Sequence, residues 1–184
     1  MSAIEKVILF GDSLMAGYGL PNEQHLSVVL QKNLEIDGHN IEIINGSVSG
    51  STSAGGLNIA EWTLSENNID LMILCLGAND MLRGINPKET KNNLEEIILI
   101  AKNKNIKVII AGMIAPTSYG FAYKKSFDKI FSDLSKKHKL QLIPFLLEGV
   151  AQNPKFNLSD GMHPNDQGTI IIGNTLKKAI LENL

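Results

Sequence analysis

The sequence predicts an α/β fold, a three-layer α/β/α arrangement around a five-stranded parallel sheet, and two observations carry that prediction. Five short runs rich in Ile, Leu and Val alternate with five segments whose apolar residues recur at helical spacing. The runs are continuous in hydrophobicity instead of alternating, which suits strands covered on both faces, as in parallel sheets. Right-handed crossovers leave few topologies for such a chain, and a flavodoxin-like strand order of 2-1-3-4-5 satisfies them. At 184 residues and 43% hydrophobic content there is material for one sizeable core, so residues 1–184 are expected to form a single domain.

Each element has its own signal. Strands are expected at residues 7–10, 41–44, 71–76, 107–110 and 140–143. Between the first two, Leu26, Val29, Leu30 and Leu34 mark an amphipathic helix, and Leu57, Ala60 and Leu64 mark the next. Leu94, Ile97, Ile98 and Ala101 repeat the spacing, as do Phe127, Ile130, Phe131 and Leu134; Ile172, Leu176 and Ile180 close the chain. No internal repeat, low-complexity tract or Pro/Gly-rich linker interrupts this alternation.

Composition excludes several classes of function. Seventeen basic and 19 acidic residues give a net charge of -2, with no long block of like charge, so nucleic acid and charged membrane surfaces are not expected partners. The single cysteine, Cys75, permits neither an internal disulfide nor a cysteine-rich zinc site, and its setting "LMILCLG" reads as a buried strand. No stretch reaches the roughly 18 apolar residues of a membrane span. The start "MSAIEKVILF" lacks the long apolar core of a secretory signal, so the chain as written reads as cytoplasmic. A periplasmic or secreted chain whose leader had been removed would read the same way.

In open α/β sheets the ligand lies outside the carboxyl ends of the strands, which directs attention to the residues just after each run. These are Gly11-Asp12-Ser13, "NGSVSGSTSAGG" at 45–56, Gly77-Ala78-Asn79-Asp80, "AGMIAPTSYG" at 111–120, and "SDGMHPN" at 159–165. A serine at a strand tip becomes a nucleophile when a base takes its proton and a third group orients that base. His163 is the candidate base. Pro164 disfavours helix at the preceding residue and suits the first helical position, so His163 is expected to cap the last helix. Asp160, three residues upstream, is close enough to accept a hydrogen bond from the ring Nδ1; for an isolated D-x-x-H a turn-capping role is the commoner explanation. His25 at a helix start, His39 in a turn and His138 among lysines at a helix end have no comparable setting. Acyl transfer also needs donors for an oxyanion. The backbone N–H groups of Ser13 and Gly50 and the side-chain amide of Asn79 are the candidates.

The blocks "FGDSLMAGYGL", "NGSVSGSTSAGG", "LGANDMLRGI" and "DGMHPN" resemble, in order and separation, those of the GDSL or SGNH hydrolases. The resemblance spans nearly the whole chain. Within that superfamily it is nearest the bacterial arylesterase and thioesterase I/lysophospholipase L1 group, given "LRGI" and "PFLLEGV". It implies the SGNH hydrolase fold, a nucleophile at Ser13, a triad completed by His163 and Asp160, and oxyanion donors at Ser13, Gly50 and Asn79. Ser51 departs from the acidic residue that many members of this group carry after the glycine.

The implied activity is hydrolysis of small-molecule carboxylic esters through an acyl-enzyme, with acyl thioesters and lysophospholipids as further implied substrates. No cofactor is needed, and no His or carboxylate cluster has metal-ligand spacing. Met81, Leu82, Ile85, Ile114, Ala115 and Pro116 are apolar and adjacent to the site, so they are candidates for an acyl groove, with core packing as the competing explanation. The absence of any insertion long enough for a lid points to short or medium acyl chains.

Two alternatives share the fold. A carbohydrate acetyl esterase would line its groove with polar or aromatic residues, whereas Trp62 is expected to be helical and packed. A non-catalytic flavin or nucleotide binder would need a phosphate loop. Gly17 and Gly19 begin a G-x-G whose third position is Asn22, and neither G-x-x-x-x-G-K-[ST] nor the α/β-hydrolase G-x-S-x-G occurs.

Overall fold

The computed structural model describes residues 4–65 and 68–184. Five parallel strands, β1 (Lys6–Gly11), β2 (Glu42–Asn45), β3 (Leu71–Cys75), β4 (Lys107–Ala111) and β5 (Gln141–Ile143), form one sheet in the order β2-β1-β3-β4-β5. β1 and β3 are the centre. Val7 aligns with Leu71 and Gly11 with Cys75, so the two strands end level. Their side chains are buried on both faces, Val7 to Phe10 and Leu71 to Leu74 alike, which is why both read as unbroken apolar runs. β2, at an edge, is half-exposed.

The long helices follow the apolar periodicities: α2 (Leu26–Ile36), α3 (Ser53–Thr63), α5 (Pro87–Asn103), α6 (Phe121–His138) and α7 (Asp166–Leu181). α2 packs on α7, while α3, α5 and α6 lie side by side. Residues such as Leu30, Leu34, Leu94, Phe127 and Leu176 are fully buried, and the buried apolar side chains form one cluster. Truncating a leucine in such a cluster to alanine costs about 2–5 kcal/mol, because removed contacts and the residual cavity both count.

Two short helices have no periodic signal in the sequence, and both stand at the carboxyl end of a central strand: α1 (Ser13–Ala16) after β1 and α4 (Ala78–Leu82) after β3. α1 starts because the Asp12 carboxylate accepts a hydrogen bond from the Leu14 N–H at 3.0 Å. It turns directly off the strand because Gly11 has no side chain. A Cβ there would lie 2.7 Å from the Cys75 carbonyl oxygen and 2.9 Å from Met15 Cγ.

Two expectations fail. α7 is not capped by His163: it begins at Asp166, and Asn165 is the cap, its side chain accepting from the Gly168 N–H at 3.0 Å. Pro164 is spent earlier, in an isolated antiparallel bridge with Asn157 that turns the chain before the helix. Trp62 is helical, in α3, but it is 69% exposed instead of packed. Among the described residues, no helix is long and apolar enough to cross a membrane.

Candidate active site

The level ends of β1 and β3 bring the strand-end residues to one edge. Ser13 is the first residue of α1, and its Oγ lies 2.9 Å from His163 Nε2, although 150 residues separate them in sequence. His163 Nδ1 is 2.6 Å from Asp160 Oδ2. The other Asp160 oxygen accepts from the Met162 N–H at 2.9 Å and the His163 N–H at 3.0 Å, so the D-x-x-H turn aims the carboxylate at the ring. The His163 backbone N–H, then its ring, then the Met162 N–H hold the Asp160 carboxyl down to about 2. An ionised Asp160 accepts only, so Nδ1 carries the proton and Nε2 offers its lone pair to the serine hydroxyl. The Tyr18 ring lies on the histidine, centroid to centroid 4.4 Å with a 37° tilt.

Gly50 occupies the left-handed region, φ 78°, in a turn closed by the Ser51 N–H on the Val48 carbonyl at 3.1 Å. That conformation favours glycine. Among the described residues, neither the Ser13 N–H nor the Gly50 N–H has a hydrogen-bond acceptor. The Asn79 Nδ2 donates to the Ser51 carbonyl at 3.0 Å and, more weakly, to Asp12 Oδ2 at 3.3 Å. Arg83 Nη2 donates to the Gly50 carbonyl at 3.1 Å.

Asp80, fully buried beside Asn79, ties this loop to the helices around it. It accepts from the Ser53 N–H at 2.7 Å, the Ser53 hydroxyl at 2.5 Å and the Thr90 hydroxyl at 3.1 Å. Two residues of α4 and the residue after it thus hold the segment 50–53: Asn79 at Ser51, Asp80 at Ser53 and Arg83 at Gly50. Among the described residues, no group of three or more His, Cys, Asp or Glu side chains converges to hold a metal ion.

A largely apolar groove of about 440 Å³ opens beside Ser13. Met81, Leu82, Ile114 and Pro116 line it. Ile85 and Ala115, also candidates from the sequence, do not; Ala115 is buried behind Ile114 and Pro116, and both residues meet α6 through their backbones. Met113, at the head of the same "MIAP" segment, lines the groove too, whereas sequence reasoning missed Tyr18, Phe145, Leu147, Ala151 and Met162, which add to the lining. Phe145 and Leu147 had a legible signal, since they follow the fifth strand directly. Asp80 and Arg83 had none, because their roles depend on partners in the segment 50–53 and in α5, and for Asp12 the sequence shows the cap on Leu14 but not the contact with Asn79.

Fold and site together define a class: a hydrolase with a serine at the end of the first strand of a flavodoxin-like sheet and an Asp-x-x-His turn before its last helix. The chain belongs to the GDSL-like lipase/acylhydrolase family, whose profile matches residues 9–169. Among individual relatives, the arylesterase of Vibrio mimicus is 35% identical over 182 residues, 99% of this chain and 91% of that protein. A crystal structure of TesA superposes with a TM-score of 0.92 at 32% identity, covering 98% of this chain and all of the other. The psychrotrophic esterase EstA from Pseudoalteromonas sp., solved with monoethylphosphonate as inhibitor, also gives 0.92, at 28% identity and 97% coverage of both chains.

Proposed function

We propose that this chain is a serine esterase that hydrolyses carboxylic esters of short to medium acyl chain through an acyl-enzyme on Ser13. The observation that carries the reading is the continuous hydrogen-bonded line from Ser13 Oγ through the His163 ring to Asp160, 2.9 and 2.6 Å, at the mouth of an apolar groove. His163 Nε2 takes the hydroxyl proton as Ser13 attacks the ester carbonyl, and Asp160 steadies the imidazolium that forms. The carbonyl oxygen, now an oxyanion, is received by the Ser13 and Gly50 N–H groups and by the Asn79 amide, which gives up its long contact to Asp12. His163 then returns its proton to the leaving alcohol or thiol. Water repeats the sequence on the acyl-enzyme, with His163 again the base.

The apolar lining favours an aliphatic acyl group over a decorated sugar, and Trp62 stands outside the groove. Hydrolysis of p-nitrophenyl esters from acetate to decanoate by the wild type and by Ser13→Ala tests the reading. Loss of about 10⁴-fold or more in kcat for the variant is expected, the scale on which a nucleophile is missed. Equal turnover by both proteins overturns it.

A further inference from the structure

The two walls of the groove hang from one helix, and we infer that α6 sets the acyl-chain selectivity of the site through Tyr123 and the Lys124–Asp128 pair. The inference rests on the esterase reading above. Met81 and Leu82 form one wall, and the chain leaves it through Ile85, whose carbonyl accepts the Tyr123 hydroxyl at 2.9 Å. Ile114 and Pro116 belong to the other wall. Between them, Ala115 donates its N–H to Asp128 Oδ1 at 2.8 Å, and its carbonyl accepts from Lys124 Nζ at 2.7 Å. Lys124 and Asp128, one helical turn apart, pair with each other at 2.7 Å. The ion pair therefore satisfies both backbone groups of one loop residue, as a neighbouring strand would.

α6 is itself well anchored. Phe127, Ile130, Phe131 and Leu134 are buried against the sheet side. Tyr123 stacks on Phe127 with centroids 6.1 Å apart, and Phe127 meets Phe131 edge-on at 5.7 Å. A loop pinned to such a helix has few alternative positions. Both walls thus hold a set spacing before substrate arrives, and a longer acyl chain, which touches both, gains most from that preorganisation. An acetyl group, two carbons long, offers the walls far less apolar surface than an octanoyl chain and gains least. Tyr123, Lys124 and Asp128 line no part of the groove, so they act as positioning residues.

The test is the ratio of kcat/KM for p-nitrophenyl octanoate to that for acetate, measured on Tyr123→Phe and separately on Lys124→Met, each with its thermal melt. Tyr123→Phe keeps the stacked ring and removes only the hydroxyl. A fall in the ratio of about fivefold, the factor one neutral hydrogen bond is worth in an equilibrium, is expected, with acetate turnover retained and a melting temperature lowered by only a few degrees, so that both variants stay folded under assay. An unchanged ratio in both folded variants overturns the inference, as does an equal fall for both esters. These outcomes are separate from failure of the esterase reading, which Ser13→Ala reports on the same substrates.

Discussion

Asp12 precedes the candidate nucleophile, is almost wholly buried and, among the described residues, forms no salt bridge; its oxygens face the Leu14 N–H and the Asn79 amide. Burial pushes its carboxyl from 3.8 up to about 6, against the smaller opposing pull of the Leu14 hydrogen bond and His163. A carboxyl that titrates higher in the folded chain binds its proton more tightly there. Between roughly pH 4 and 6 the folded state therefore holds more protons than the unfolded one, and stability falls as pH rises through that window. The total is of order 2–3 kcal/mol, complete above about pH 6. Asp12→Asn lacks the titration, so its melting temperature relative to wild type is expected to climb between about pH 4 and pH 8. Parallel melting curves at both pH values would show that Asp12 is not penalised by its burial. Asp160 has the opposite sign: lowered from 3.8 to about 2, it contributes stability that is fully present above about pH 4 and is lost as pH falls from there through about 2.

At the scale of elements, the junction of α3, α4 and α5 is organised by Asp80, which faces the first N–H of α3 and a hydroxyl from the first turn of α5. Asp80→Ala would leave three buried donors without their acceptor, at a cost of about 3 kcal/mol or more. Urea denaturation measures that loss directly; a midpoint within error of wild type would contradict it. The same junction marks how far the sequence could be read. The five strands and five long helices were legible because apolar period and run length survive in the sequence. α1 and α4 were not, since four- and five-residue helices have no period and start from a single local feature, the Asp12 cap on the Leu14 N–H or the left-handed turn at Gly77. The wall residues failed for a related cause. Nothing in "MIAP" says that Ala115 turns its backbone to α6 while Ile114 and Pro116 face the groove.

Across the whole molecule, the site joins the first strand to the turn before the last helix, and no short piece of chain contains it. The triad candidates were legible because a parallel sheet delivers all its strand ends to one edge. What the sequence withheld was the packing that brings Ser13 and His163 to 2.9 Å, for which β1, β3 and α7 must all be in place. Loss of esterase activity and loss of helical circular dichroism should therefore coincide in urea; an earlier loss of activity would mean that the α7 end detaches alone. An activated Ser13 should react with a p-nitrophenyl alkylphosphonate, and mass spectrometry of the treated protein maps the adduct. One phosphonate per chain, on Ser13, slowed strongly by His163→Ala, is the expected result. An adduct on another residue, or none while ester hydrolysis continues undiminished, would mean that Ser13 is not the nucleophile.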